Sequence, residues 1–339
     1  MPTDQAARVP IGQPRVLTGQ NREGCILSQT AQAEAMAQRW DRASEHGEMA
    51  RVLWPEPDDV PNTPRPADAT FLRMYPPGRQ PRPGSLRSDH LEMDSHWHFH
   101  DMHQLFFTFE GAIELEAEDG RHLISQQLAA WIPAQVAHLA HLHRTPSVSI
   151  FFNSDMIAEP GRRIRSLIVT PLMREMMRET ARWPLHRPQS PVRRAFYTAL
   201  AALCEEWIES QETGLFLPAC ADPRLKRALD HTARHSQAKL AEICAIAGMS
   251  ERSLRRHLRA ETGLTWEAYR QRSRLLQAIT LLGETDEPII AIAARCGFES
   301  PSAFAKAFRA AMGEAPSDYR TRVAGGAGHR CRIDRQVVP

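Results

Sequence analysis

No run of about 18 apolar residues occurs in the 339-residue chain, so no membrane-spanning helix is expected. The opening MPTDQAARVP lacks the basic-then-apolar order of a secretion signal, which leaves the cytoplasm as the expected compartment. Cysteine is scarce and scattered. The six, at positions 25, 204, 220, 244, 296 and 331, show no CxxC spacing, which argues against a zinc ribbon or a disulfide framework and leaves reduced thiols as the default. There is no phosphate loop, dinucleotide fingerprint or Ser-His-Asp order to supply a common enzyme chemistry. Net charge is also nearly absent, 42 Lys and Arg against 40 Asp and Glu, but it is unevenly placed. From Ala221 onward 20 basic residues face 13 acidic ones, a net +7, while the preceding residues carry 22 against 27, a net −5. A basic carboxyl-terminal portion suits contact with a polyanion. The length, with 42% hydrophobic residues, gives material for two or three cored domains.

The basic portion has internal structure. Between Ala238 and Glu261, Leu240, Ile243 and Ala247 recur at helical spacing, Gly248 permits the left-handed end of a helix, and Ser250 can cap the next one. That order spells helix, tight turn, helix. In the second helix Leu254 and Leu258 share the inward face, whereas Arg252, Arg255, Arg256 and Arg259 lie outward, where guanidinium forks match phosphate oxygens and guanine edges. The pattern then repeats. Ile243, Cys244 and Gly248 answer to Ile292, Ala293 and Gly297 at an offset of 49; after one inserted turn residue, Leu254, Leu258, Arg259, Gly263, Tyr269 and Arg270 answer to Phe304, Phe308, Arg309, Gly313, Tyr319 and Arg320 at an offset of 50. The matching positions are those a helix-turn-helix core requires.

With these residues in view, the segment from about Pro223 to Arg322 resembles the DNA-binding domain of the AraC/XylS family of bacterial transcription regulators. It carries that family's ordered pattern: Gly248-Met249-Ser250, Leu254, Leu258 and Gly263, then Arg274-Leu275, Ala278 and Leu281-Leu282, then Ile292-Ala293, Gly297-Phe298, Ser302, Phe304, Phe308, Gly313, Pro316 and Tyr319-Arg320. The resemblance implies seven helices, with a linker helix at about Trp266 to Leu282 holding two recognition helices for successive major-groove segments. It places DNA contacts at Ser250, Arg252, Ser253, Arg255, Arg256 and Arg259 in the first helix. In the second they fall at Ser300, Pro301, Ser302, Lys306 and Arg309.

From about Ala69 to Asn153 the pattern is of short strands: 103–110, 112–118, a hairpin turn at Asp119-Gly120, then 123–124, 129–132, 136–142 and 148–152. Strands so short and evenly spaced indicate a small antiparallel barrel. The residues here resemble a cupin: His98-x-His100, Gln104, Gly111, Pro133-x-Gln135 and His138. Metal-binding cupins hold an ion with two histidines, a Glu and a third histidine. His98, His100 and His138 match that set, while Gln104 replaces the Glu and Gln135 stands where glycine is usual. His98 and His100 alternate by two, so their side chains share a strand face. Nine of the fifteen histidines fall in this stretch. The expectation is an effector pocket without a cofactor, with a divalent metal such as Zn²⁺ or Fe²⁺ at His98, His100, Gln104 and His138, or histidines of purely structural role, as the alternatives.

Residues 164–217 show helical spacing, with Met173, Met176 and Met177 assigned to packing, and Gly214 to Pro223 follows as a linker. The fold class expected is multidomain α+β: a cupin-like antiparallel β-barrel with packed helices, then an all-α domain with two helix-turn-helix motifs. Residues 1–68, rich in Pro, Gln, Asp and Arg with one helix near Thr30 to Trp54, are expected to be disordered or a loosely attached arm; 69–160 form the cupin-like sensor, 161–214 a helical connector for which the resemblance implies packing on the barrel and homodimerisation, 215–322 the DNA-binding domain and 323–339 a basic flexible tail. Met36 and Met49 are alternative starts for the chain. A ligand-responsive, non-enzymatic transcription regulator is expected, with double-stranded promoter DNA, a small-molecule effector and, for an activator, RNA polymerase as partners and no membrane. The alternative is a metal-dependent cupin enzyme fused to a DNA-binding domain.

Overall fold

The structure, a computed structural model, describes residue 66 and residues 68–75, 80–88, 92–143, 145–158, 161–185 and 187–327. The arm at 1–68 lies, apart from Pro66 and Asp68, outside the described residues, as do its expected helix and the tail beyond Ala327. The described chain first rolls a sheet and then stacks helices. The strands are β1 (Thr70–Leu72), β2 (Gly84–Ser88), β3 (Glu92–Asp94), β4 (His98–His100), β5 (Met102–Thr108), β6 (Ala112–Ala117), β7 (Gly120–Ser125), β8 (Leu128–Ile132), β9 (His138–His143), β10 (Ser147–Asn153) and β11 (Arg165–Ile168). They pair in the order β1-β4-β9-β6-β7-β8-β5-β10-β2, a curled half-barrel that is antiparallel except at its β1·β4 edge. The β6–β7 hairpin turns one residue earlier than expected, at Glu118-Asp119, with Gly120 pairing Ala117.

The pleat explains why β5, MHQLFFT, is buried at every position. Phe106 faces the barrel interior with Ile113, Leu115, Ile124, Ile132 and Ala140. Its neighbours Leu105 and Phe107 face outward, where two helices cover them. These helices, α1 (Pro171–Glu179) and α2 (Pro191–Ser210), begin at Thr170 and Ser190, whose side chains cap the first turn, each followed by Pro at a position that needs no N–H. Met173, Met177, Tyr197, Leu200, Cys204 and Trp207 form the covering layer, with Met176 at its margin, so the methionines pack as expected. The stretch read as helical from 164 differs at both ends. Arg165–Ile168 pairs with β8 as β11, and β12 (Glu212–Thr213) and β13 (Leu217–Pro218) pair with β11 and β7. Gly120 makes the last pairing feasible: it adopts φ 149°, and a Cβ there would sit 2.2 Å from the Leu217 carbonyl oxygen.

The carboxyl-terminal domain has seven helices among the described residues: α3 (Pro223–Arg234), α4 (Leu240–Ala247), α5 (Glu251–Thr262), α6 (Trp266–Glu284), α7 (Ile289–Arg295), α8 (Pro301–Met312) and α9 (Pro316–Ala327). The long α6 is their common support, packing on α3, α5, α7 and α9. Leu254 and Leu258 of α5 and Phe304 and Phe308 of α8 are fully buried in one cluster with Ile243 and Ile292, as the repeat requires. Each such side chain stabilises the fold by ~1.5–3 kcal/mol through apolar burial.

Candidate DNA-binding surface and barrel site

Each recognition helix is launched by local chemistry. Gly248 ends α4 at φ 62°, a conformation that costs any residue with a Cβ, and Met249 leads into Ser250, whose Oγ accepts from the Ser253 N–H at 3.3 Å. In the second unit Gly297 takes φ 79° after α7, and Ser300 Oγ accepts from the Ala303 N–H at 3.2 Å. The extra turn residue between glycine and serine accounts for the change in repeat offset.

The outward faces differ. On α5, Arg252, Arg256 and Arg259 are exposed and have no carboxylate partner among the described residues. Arg255 is held from both sides: its Nε donates to Glu251 at 3.0 Å and its Nη1 to Glu267, in the first turn of α6, at 2.6 Å. Arg255 holds the Glu267 carboxyl below its ordinary pKa, and the two carboxylates raise that of Arg255. Ser253 is half-buried. On α8, Pro301, Ser302, Lys306 and Arg309 are exposed and Ser300 is half-buried at the cap. A brace unseen in the spacing lies behind the second turn. Arg274 of α6 donates from Nε to the Ser236 carbonyl at 2.9 Å, and its guanidinium stands 5.9 Å from the Phe298 ring centre. It packs so closely on Gly297 that a Cβ there would lie 2.8 Å from Nη2.

The structure brings the four barrel residues of the sequence reading together. His98 opposes His138 across β4 and β9. The ring centres lie 4.2 Å apart for His98 and His138, 5.1 Å for His100 and His138, and 6.3 Å for His98 and His100. Each Nδ1 sits against a backbone carbonyl: His98 on His96 at 2.8 Å, His100 on Met102 at 2.7 Å, His138 on Val136 at 3.0 Å. A carbonyl only accepts, so each Nδ1 carries the hydrogen and each Nε2 a lone pair. The His100 Nε2 is 2.8 Å from the Gln104 amide, whose other end is 2.8 Å from Ser149 Oγ. Satisfying both requires the amide NH₂ to donate to His100 and its oxygen to accept from Ser149. Burial, the dominant cause, lowers all three histidine pKa values, that of His98 to about 4, so the cluster is neutral near pH 7.

As a metal site the arrangement fits poorly. Among the described residues no three His, Cys, Asp or Glu side chains have the geometry to hold an ion. The fourth residue, Gln104, brings no negative charge and is engaged with Ser149. What the cluster offers is a set of neutral imidazoles beside Phe151, whose ring lies 5.4 Å from that of His100.

A family model described as a helix-turn-helix domain matches residues 243–322. The HTH-type transcriptional regulator NimR of Escherichia coli (strain K12) is 26% identical over 234 residues, 68% of this chain and 84% of NimR. The HTH-type transcriptional activator RhaS of Klebsiella pneumoniae (strain 342) is 37% identical over 101 residues, 29% of this chain and 36% of RhaS. Among solved structures, the DNA-binding domain of the global transcriptional factor AdpA, in complex with a target DNA, is 32% identical, covering 34% of this chain and 99% of that one with a TM-score of 0.28. Among the described residues no helix is long and apolar enough to cross a membrane.

Proposed function

The chain belongs to the AraC/XylS family of DNA-binding transcription regulators, and on that premise we propose that α5 and α8 enter successive major-groove segments of one promoter site while the amino-terminal half-barrel binds a small-molecule effector. The observation that carries this is the duplicated helix-turn-helix on one supporting helix, with Arg252, Arg256 and Arg259 along the exposed face of α5 and without a carboxylate partner among the described residues. Arg252 and Arg256 read base edges, guanine O6 and N7 being the acceptors that suit a guanidinium fork, and Arg255 joins them by exchanging Glu251 and Glu267 for a base. Arg259, Lys306 and Arg309 bind phosphate, and Ser250, Ser253, Ser300, Pro301 and Ser302 set the approach of the two helix starts. The neutral histidines His98 and His138 present Nε2 lone pairs to the effector without a metal, and His100 and Gln104, hydrogen-bonded to each other, hold the wall beside them. The barrel binds and does not catalyse, in keeping with relatives that are transcription regulators. The protein works in the cytoplasm, where its DNA is; where it activates, it contacts RNA polymerase, and α1 and α2 provide the surface for a homodimer. Chromatin immunoprecipitation followed by footprinting on the recovered fragments tests this. The expected footprint covers two adjacent major-groove segments on one face of the duplex, and protection of a single segment would remove α8 from the reading surface.

A further inference from the structure

The half-barrel is seated directly on the supporting helix of the DNA-binding domain. Arg121 of β7 pairs with Asp230 of α3, and its Nε lies 3.5 Å from Glu116. The Phe216 ring stacks on His122 at 4.9 Å and 4°, and Arg272 of α6 lies 5.6 Å from its centre. Leu128, Leu215 and Leu217 share one apolar cluster with α6. This seam is incompletely filled. It leaves a half-open cavity of ≈ 290 Å³, with Glu114, Arg121 and Leu123 of the barrel and Leu217 on one side and Leu276 and Gln277 of α6 on the other. That is near the ~300 Å³ lower bound of small-molecule sites and has room for roughly ten water-sized groups.

The lining selects a class of ligand. Leucines from both domains supply the apolar part of the wall. The cation, Arg121, is bound to Asp230 and Glu116, so an anion would have to displace a carboxylate. Glu114, by contrast, is exposed and has no cationic partner among the described residues. The Gln277 carbonyl oxygen is buried without a hydrogen-bond partner, so turning that amide oxygen toward the cavity breaks no hydrogen bond. Of the acidic and basic lining residues, Arg121 is already neutralised by Asp230 and Glu116, which leaves Glu114 as the charge without a counter-ion among the described residues. We propose that this interdomain cavity is a small-molecule site, separate from the barrel interior, for a protonated primary amine with a compact apolar body. The ammonium donates to Glu114 and Gln277, and the apolar body lies against Leu123, Leu217 and Leu276. An occupant touches both domains and so fastens the sensor to the helix that carries both recognition units.

Titration calorimetry on the full-length protein at pH 7 tests the site with three protonated amines, 2-phenylethylamine, cyclohexylmethylamine and hexylamine, with 2-phenylethanol and phenylacetate as neutral and anionic controls. At least one amine should bind saturably and at least about tenfold tighter than either control. Glu114→Gln, an exposed change that leaves the fold intact, should cost about tenfold, Leu276→Trp should fill the cavity and abolish binding, and His100→Ala, which alters the barrel site instead, should leave the amine affinity where it was. Absence of saturable binding by all three amines, equal affinity for phenylacetate, or an unchanged affinity in Glu114→Gln would overturn the proposal. So would binding lost in His100→Ala but retained in Leu276→Trp, which moves the site into the barrel. If Leu276→Trp does not fold, the Glu114→Gln result decides. DNA binding measured on the same samples reports separately on the regulatory function.

Discussion

Lowering the pH from 7 to 5 leads the unfolded chain to protonate His98 while the folded barrel resists. The folded pKa, about 4, lies below the ordinary 6.5 because burial disfavours the imidazolium. Between those values the unfolded state therefore binds more protons. The stabilising contribution is fully present above pH 6.5 and is lost progressively as pH falls toward 4. Going from pH 7 to 5 the linkage amounts to ~2 kcal/mol for this one group, and since the ring keeps some contact with water a working figure is about 1–2 kcal/mol. The pKa values of His100 and His138 are displaced in the same direction, so their losses add. Amide hydrogen exchange of β4 and β9 reads the local opening free energy of this end of the barrel without requiring the two domains to unfold together. The native protein should lose that free energy across the window, and His98→Gln should lose about 1–2 kcal/mol less. Equal pH slopes for the two proteins would refute a buried neutral His98.

Arg255→Ala or Arg256→Ala should cost about 1–3 kcal/mol on the cognate site and relax base preference, whereas Lys306→Ala should weaken all duplexes alike; competition against scrambled DNA separates the two behaviours. Leu258→Ala should destabilise the DNA-binding domain by ~2–5 kcal/mol and its repeat counterpart Phe308→Ala by ~3–5 kcal/mol, both read by urea denaturation, because each leaves a cavity in one shared core. The isolated segment 215–322 should fold and bind DNA but melt below the same domain in the full chain, since it exposes apolar surface that Leu123, Leu128 and Ile168 of the barrel cover; an unchanged melting temperature would show that the seam contributes nothing.

What the sequence made legible was local chemistry. Gly248 with Ser250, and Gly297 with Ser300, encode a helix end and a cap within three residues, and the anchors Leu254, Leu258, Phe304 and Phe308 declare their face by periodicity alone. What it hid depends on partners distant in the chain. Arg165–Ile168 is a strand because β8 is there to pair with it, and four residues carry too little periodicity to say so. The two-residue β12 and β13 exist only by pairing with β11 and β7. Spacing put His98 and His100 on one face and left the direction of each Nε2 open; the carbonyls of His96, Met102 and Val136 decide it. Arg255 looked like its neighbours until Glu267, on the next helix, was seen to hold it.

The central claim, that this chain binds duplex DNA through basic side chains on two recognition helices, is tested most directly by measuring affinity for a recovered promoter site and for a scrambled duplex from ~50 to ~200 mM salt. The plot of log K against log salt should fall with a slope near −0.9 for each phosphate neutralised, and the promoter site should remain tighter throughout. A salt-insensitive affinity, or no preference between the two duplexes at any salt concentration, would contradict it.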